Sequence, residues 1–432
     1  MQMMDIAKKD RYLILFFLIF VGVFFLICNF KFSLTLGPDF RSYYNAVWAN
    51  RMDLNIYDID NLNLVARSKS NGLVFPYLYP PLLTVFMYPL SRLSVENANY
   101  IWNLLSFVLL IVIFYLSTKI ALFSLQDQEP QREVGVHDIF FVVTISLLIF
   151  FLLPFELNFW KGQVNIIVLT FMVLSLYFLF CKPKYYLSGF LLSIAFLIKV
   201  TPAILLLIMI KKEKRKCLYG FAGGACSLFL LSVAVNGIGS WKDFVNFLPH
   251  TSFGQTPPGL FHPKSIYNFS IAGFFSRLSE NNPNLVSWLT TISIVVLIGI
   301  ACFVFYKKKN MQLLMVPLFS IIMVIAAPYT YLHHCIFLFP GFVLLFSKIY
   351  LKLETTEKYF YSSILFFLLY IVGTDCSMFY QNNKSGLFLK IGTYMNLYGL
   401  LIMFTLILIF SLKVTDNAKE VFFSQKEDPK LK

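Results

Sequence analysis

The sequence predicts an all-α polytopic membrane protein, a bundle of about twelve transmembrane helices with two larger extracytoplasmic loops. Three observations predict it. Of 432 residues, 58% are hydrophobic and only 13% charged, whereas soluble domains carry about a quarter charged residues. The apolar residues fall into runs close to the length an α-helix needs to cross about 30 Å of hydrocarbon. The basic residues behind the formal net charge of +14 gather in short clusters between those runs. That is how a membrane chain records its orientation, and it excludes the continuous basic face of a nucleic-acid binder.

The clear runs are residues 12–30, 101–116, 139–153, 166–180, 187–210, 218–235, 285–305, 313–327, 334–346, 360–372 and 394–412. Backbone amides in lipid must bond within their own segment, so these runs are helices. The first lacks a small-residue cleavage site and the membrane pattern continues after it, so it reads as a retained helix rather than a signal peptide. A shorter run, 81–90, follows a proline pair. Counting it as a span puts Lys8-Lys9-Arg11, the cluster from Lys211 to Lys216, Lys307-Lys308-Lys309 and the stretch from Lys348 to Lys358 on one side, the cytosol, with both termini. The expected organisation is a seven-helix module over 1–236 that includes a first external loop, 31–79. A second external loop over 237–284 and C-terminal helices with a cytosolic tail over 285–432 follow. The seven cysteines show no paired spacing, so neither a disulfide framework nor a zinc site is indicated.

Polar residues that interrupt this pattern are the functional candidates. Asp39 follows the outer end of the first helix, where partial shielding would raise its pKa toward a general base; capping the next helix or pairing with Arg41 is the alternative. That next helix, over 42–48, carries Tyr43 and lies in the interface. Lys199 puts an ammonium inside an apolar run beside Pro202, which implies either a polar cavity for an anionic ligand or an ion pair within the bundle. His333 and His334 stand at a helix end as phosphate donors or interfacial anchors; on an α-helix only one of two neighbours faces a site. Gln163 and Asn165 open the fifth helix, at an anion-binding terminus or a simple cap, and parity counting places them inside. His262, Lys264, Asn268 and Arg277 supply donors to the second loop.

In order, Pro38-Asp39-Phe40 with Tyr43-Tyr44, Asn55-Ile56-Tyr57-Asp58, Tyr79-Pro80-Pro81, Gly162-Gln163-Val164-Asn165, Gly189 with Lys199-Val200-Thr201-Pro202, Asn268-Phe269-Ser270-Ile271 and Pro328 with His333-His334 resemble the GT-C glycosyltransferases that use lipid-linked sugars. Among these the chain resembles glycosyltransferase family 87, the mannosyltransferases dependent on polyprenyl-phosphate mannose. The resemblance implies a GT-C-like bundle and transfer of a hexose, mannose, from a polyprenyl-phosphate carrier to a glycolipid or glycan acceptor at the outer face of a bacterial inner membrane. Asp39 is then the general base. His333, His334, Lys199, Arg277, His262 and Lys264 are the candidate cations for the departing phosphate, with Asn268, Gln163, Asn165 and Tyr43 as further binding residues. Membrane lipids are expected partners and nucleic acid is not. No cofactor is implied, and a lone Asp39 where relatives carry an acidic pair speaks against a two-carboxylate metal site. A transporter or flippase would instead show internal pseudo-symmetry, and no inverted repeat is visible. A polysaccharide polymerase or ligase would favour arginine-rich external loops.

Overall fold

The computed structural model describes residues 36–69, 72, 74–126, 134–211, 214–279, 282–307, 312–375 and 394–426, and the expected first helix over 12–30 lies outside them. The described residues contain helices and no strand. Five of the helices are long and apolar enough to cross a membrane, or six if one pair bent by 52° counts as a single span. The chain is an integral membrane protein.

Two helices form a layer at one end of the bundle. α1 (Pro38–Arg51) starts on a proline with fixed φ, and Phe40, Tyr43, Tyr44 and Val47 bury its inner face. α2 (Ile59–Ser68) is capped by the Asp58 side chain, which accepts from the Asp60 amide at 2.9 Å. Both occupy the first loop; aromatic spacing predicts α1, which is packed inward by its aromatic face, and the shared face of Ile59, Leu62 and Ala66 fits α2.

The segment 81–90 is not a span. Its helix, α3 (Leu82–Met87), has 6 residues, about 9 Å at the α-helical rise. Both of its flanks are held beside α1. The Pro81 carbonyl accepts from Asn236 Nδ2 at 2.9 Å, and Asn236 Oδ1 accepts from Asn50 Nδ2 at 3.2 Å. The Leu93 carbonyl accepts from the Tyr44 hydroxyl at 2.7 Å. The chain therefore enters and leaves on one side, and α4 (Val95–Gln126) starts from that side.

α5 (Val136–Leu152) returns and bends into the short α6 (Phe155–Lys161), after which α7 (Asn165–Phe180) and α8 (Tyr185–Ile198) run as an antiparallel pair. Ser175 and Ser188 lock that pair, each hydroxyl donating to the other's carbonyl at 2.8 Å. α8 ends at Lys199, whose backbone is extended (φ −147°, ψ 124°). A 3₁₀ turn (Thr201–Leu205) and the four-residue α9 (Leu206–Met209) follow, and then α10 (Lys216–Phe247).

α8 and α10 are parallel. Gly220 lies against the Tyr186 carbonyl, Gly189 against the Phe221 amide and Gly224 against Ser193, so the two numberings rise together. Parallel neighbours require the chain between them to run back, so the apolar run 187–210 is two segments broken at Lys199 rather than one helix. Small residues at such a seam allow the close approach that dispersion and packing need in lipid. Gly220→Leu is expected to cost about 3 kcal/mol or more, because backbone rather than a movable side chain blocks it. Gly223→Leu, with open space around it, should be tolerated. The fraction of monodisperse protein in detergent-solubilised membranes, read by size exclusion, checks the contrast.

α10 is interrupted at Gly237, which adopts φ 76° and ψ 159°; this backbone favours glycine. Its last turns and α11 (Ile271–Leu278) then cover the same end as α1. α12 (Pro283–Lys307), α13 (Met315–Ile325), α14 (Phe339–Lys352), α15 (Thr355–Gly373) and α16 (Met395–Lys426) complete the bundle. Every residue of α13 is buried, which makes it the central post of this half.

Candidate active site

α1 begins against the turn between α6 and α7, and two glycines permit it. Gly37 abuts the Lys161 carbonyl and the Gly162 amide, while Gly162, at φ +65°, faces Phe40. Trp102 Nε1 donates to the Gly162 carbonyl at 3.1 Å and ties the turn to α4. Gln163 thus lies beside Asp39, and its Nε2 donates to Asp39 Oδ2 at 2.6 Å. Gln163 Oε1 accepts from the Tyr43 and Tyr79 hydroxyls, each at 3.3 Å, and those hydroxyls are 3.2 Å apart. With its oxygen committed to two donors, the amide can present only its NH₂ to the carboxylate. Parity counting put this turn on the wrong side of the molecule. The error follows from the supposed span at 81–90, and the break at Lys199 restores the count afterwards.

Asp39 lies outside the membrane-spanning segments. Burial raises its carboxyl above the ordinary value; Lys161, the Gln163 hydrogen bond, Lys199 and Arg41 oppose that rise without cancelling it. Lys199 Nζ donates to Asn165 Oδ1 at 2.8 Å, Asn165 Nδ2 to Asn158 Oδ1 at 3.0 Å, and Asn158 Nδ2 to the His333 carbonyl at 3.1 Å. A line of amides therefore fixes the ammonium relative to the histidine pair. The Lys199 ammonium also stands 5.4 Å from the Phe337 ring centroid and 5.9 Å from that of Tyr79.

His333 and His334 sit on a 3₁₀ turn (Leu332–Leu338) rather than an α-helix, with ring centroids 4.4 Å apart. Both line the cavity, so the expectation that only one could do so fails with the helix type. His334 Nδ1 accepts from the Tyr331 amide at 3.2 Å. In the neutral ring the proton then sits on Nε2, free to donate.

These groups share one cavity of about 830 Å³ lined by Asp39, Tyr43, Tyr79, Lys161, Gln163, Lys199, His333 and His334. Phe75, Trp160, Leu248, Leu260 and Phe261 give it an apolar wall as well. A carboxylate, several cationic or N–H donors and an apolar wall suit an amphiphile with a phosphate beside its reacting carbon.

Asn165 supports Lys199 from behind and does not line the cavity. Nor do His262, Lys264, Asn268 and Arg277. His262 Nδ1 accepts from the Lys264 amide at 3.1 Å in an exposed turn. Arg277 donates to the Ser265 carbonyl at 2.6 Å and the Asn268 carbonyl at 3.0 Å, over the Tyr394 ring. Asn268 Oδ1 accepts from the Ser270 amide at 3.2 Å and the Thr330 amide at 2.9 Å, and its Nδ2 donates to the carbonyls of Pro263 and Pro328. The last two residues hold the loop whose Ile266, Tyr267 and Phe269 reach the cavity. Lys161, which sequence reasoning did not select, lines it, as does Tyr79, which the sequence marks only within the Tyr79-Pro80-Pro81 segment. Among the described residues no three of His, Cys, Asp and Glu are grouped so as to hold a metal.

The sequence pattern of glycosyltransferase family 87 matches residues 77–328, more than half the chain. The chain belongs to glycosyltransferase family 87. The family 87 match includes Tyr79, Lys161, Gln163 and Lys199, and the fold adds Asp39 from before it and the histidine pair from just after it. Two relatives are named polyprenol-phosphate-mannose-dependent alpha-(1-2)-phosphatidylinositol mannoside mannosyltransferase. The one from Mycobacterium tuberculosis (strain ATCC 25618 / H37Rv) is 24% identical over 279 residues, 62% of this chain and 62% of its own. The one from Mycolicibacterium smegmatis (strain ATCC 700084 / mc(2)155) is 25% identical over 292 residues, 63% of this family 87 chain and 62% of its own. The similarity thus spans less than two thirds of either relative.

Proposed function

We propose that this protein transfers mannose from polyprenyl-phosphate mannose to a hydroxyl of a lipid or glycan acceptor, on the extracytoplasmic face and with inversion. The observation that carries the reading is the Gln163 clamp on Asp39, which aims a carboxylate into a cavity also lined by Lys161, Lys199, His333 and His334. The family membership and the relatives' names support the donor and the sugar. Asp39 removes the acceptor's hydroxyl proton as the oxygen attacks the anomeric carbon from the face opposite the phosphate. The bond from that carbon to the phosphate oxygen breaks, and polyprenyl phosphate leaves with the electron pair. Donors already in place around that growing charge lower the barrier more than donors that must reorganise.

Orientation follows from charge. The cluster around Arg215 and Lys216 and the Lys352 and Lys358 turn lie at the bundle end away from Asp39. The positive-inside rule supports a cytosolic position for that end and hence an outer-face position for Asp39, in what we infer to be a bacterial inner membrane. With the helix expected at 12–30 and the return segment 201–209, about twelve crossings result. The seven-helix module then ends near Gly237, where α10 breaks.

Transfer of labelled mannose from polyprenyl-phosphate mannose into extractable acceptor, by membranes that carry the protein, tests this reading. Label that stays on the carrier at wild-type protein levels, with acceptor-rich membranes supplied, would sink it. A finer expectation concerns Gln163→Leu. Losing a hydrogen bond to an ionised group, about 1.5–3 kcal/mol, should lower kcat/KM by roughly 10–100-fold. The same change removes an influence that holds the Asp39 pKa down. The acid limb of the pH–rate profile should therefore move to higher pH, which a merely structural role would not cause.

A further inference from the structure

A second cavity, of about 530 Å³, opens beside another stripe of α1. Tyr44, Trp48 and Arg51, spaced by four and three, share one helical face and line it with Lys69, Arg92 and the start of α4. Three cations crowd two rings there. Lys69 Nζ is 3.6 Å and the Arg51 guanidinium carbon 4.5 Å from the Trp48 centroid, while Arg51 and Arg92 stand 5.3 Å and 5.8 Å from that of Tyr88. Among the described residues none of the three is in an ion pair, and Glu96 is the lone acid in the lining. Arg51 spends one N–H on Ser91 Oγ at 3.4 Å. The first turn of α4 adds the positive end of a 32-residue helix. Like charges gathered this way repel one another unless an anion joins them.

What lies next to the cup points to the anion. Ile101, Leu104, Leu105 and Val108 of α4 are each more than 40% exposed, so that face of the helix meets lipid tails. Glu96 precedes Ile101 by a little over one helical turn, about 7.5 Å along the axis. That is the depth of one head-group layer outside the hydrocarbon.

We propose that the Trp48 cup holds the phosphodiester head group of an anionic outer-leaflet lipid, its tails lying on the exposed face of α4. Lys69, Arg51 and Arg92 face the phosphate, and Trp48 and Tyr88 keep the cations in place by their π faces. The site is separate from the catalytic cavity and does not depend on the sugar or the acceptor. Because α1 carries Asp39 on another stripe, the bound lipid steadies the helix that positions the carboxylate.

Native mass spectrometry of the full chain, released from detergent with added phosphatidylglycerol or phosphatidylcholine, tests it. Wild type should retain phosphatidylglycerol about tenfold better than phosphatidylcholine, and Arg51→Gln/Lys69→Gln/Arg92→Gln should lose that preference. Arg92→Gln alone, at an exposed position, should lose part of it and keeps the test open if the triple variant misfolds. Excess inorganic phosphate should not displace the lipid, since it lacks tails for the α4 face. Equal retention of both lipids by wild type, undiminished preference in the variants, or full displacement by phosphate would overturn the assignment.

Discussion

Asp39→Asn is expected to reduce mannose transfer by about 10²–10⁴-fold, the contribution usual for a positioned general base, while the protein is made and folds normally. Asparagine keeps the size of the side chain and still offers an oxygen to Gln163 Nε2, so the clamp geometry survives while the proton acceptor is lost. The effect on stability has the opposite sign. A carboxyl whose folded-state pKa is raised binds its proton more tightly in the folded chain, so the ionised form at neutral pH is destabilising there. Asp39→Asn removes that cost, and its thermal midpoint at pH 7 should equal or exceed wild type. In the wild-type enzyme the sign carries into catalysis. Activity should be present where Asp39 is ionised and lost as pH falls through a pKa above the ordinary carboxylate range. A thermal melt and a pH–rate profile, taken on the same preparations, check both.

Lys199→Met should produce the second large loss, about 10²–10³-fold in kcat, the scale of removing one fixed donor to a developing oxyanion. The extended backbone at Lys199 and the amide line through Asn165 and Asn158 to the His333 carbonyl hold the ammonium in one place. If that cation served only the architecture, the variant would melt earlier and turn over normally. A role toward the phosphate predicts a loss of turnover far beyond the modest loss of stability, since methionine fills most of the lysine stem and leaves only Asn165 Oδ1 without its donor. Lys199 also restrains the Asp39 pKa, so the residual activity of the variant should show its acid limb at higher pH.

Much of this was readable from residue type and position. Apolar runs announce spans because lipid leaves the backbone no other partner, and Asp39, Gln163, Lys199 and the histidine pair stand out as polar groups where apolar ones would be cheaper. Direction was harder to read than existence. Hydropathy records that residues 187–210 are apolar, but only the parallel packing of α8 on α10 reveals that the chain turns back at Lys199. Residues 81–90 look like a short span until the hydrogen bonds of Tyr44 and Asn236 hold both flanks to one end. Lys161 was hidden for a related reason, since a lysine at a helix end looks like an interfacial anchor, and Tyr79 stood out only as part of Tyr79-Pro80-Pro81, with no role attached. Arg277, Lys264 and His262 erred the other way. They look like phosphate donors, yet the Arg277 guanidinium binds the carbonyls of Ser265 and Asn268 and none of the three reaches the cavity.

The most direct test is a structure of Asp39→Asn trapped with intact polyprenyl-phosphate mannose. The sugar–phosphate should lie in the 830 Å³ cavity, its phosphate oxygens within hydrogen-bond reach of Lys199 Nζ or His334 Nε2. The anomeric carbon should turn the face opposite the phosphate toward the substituted side chain at position 39. A carrier phosphate bound at the far end of the bundle, or a sugar whose leaving oxygen points at that side chain, would contradict the account.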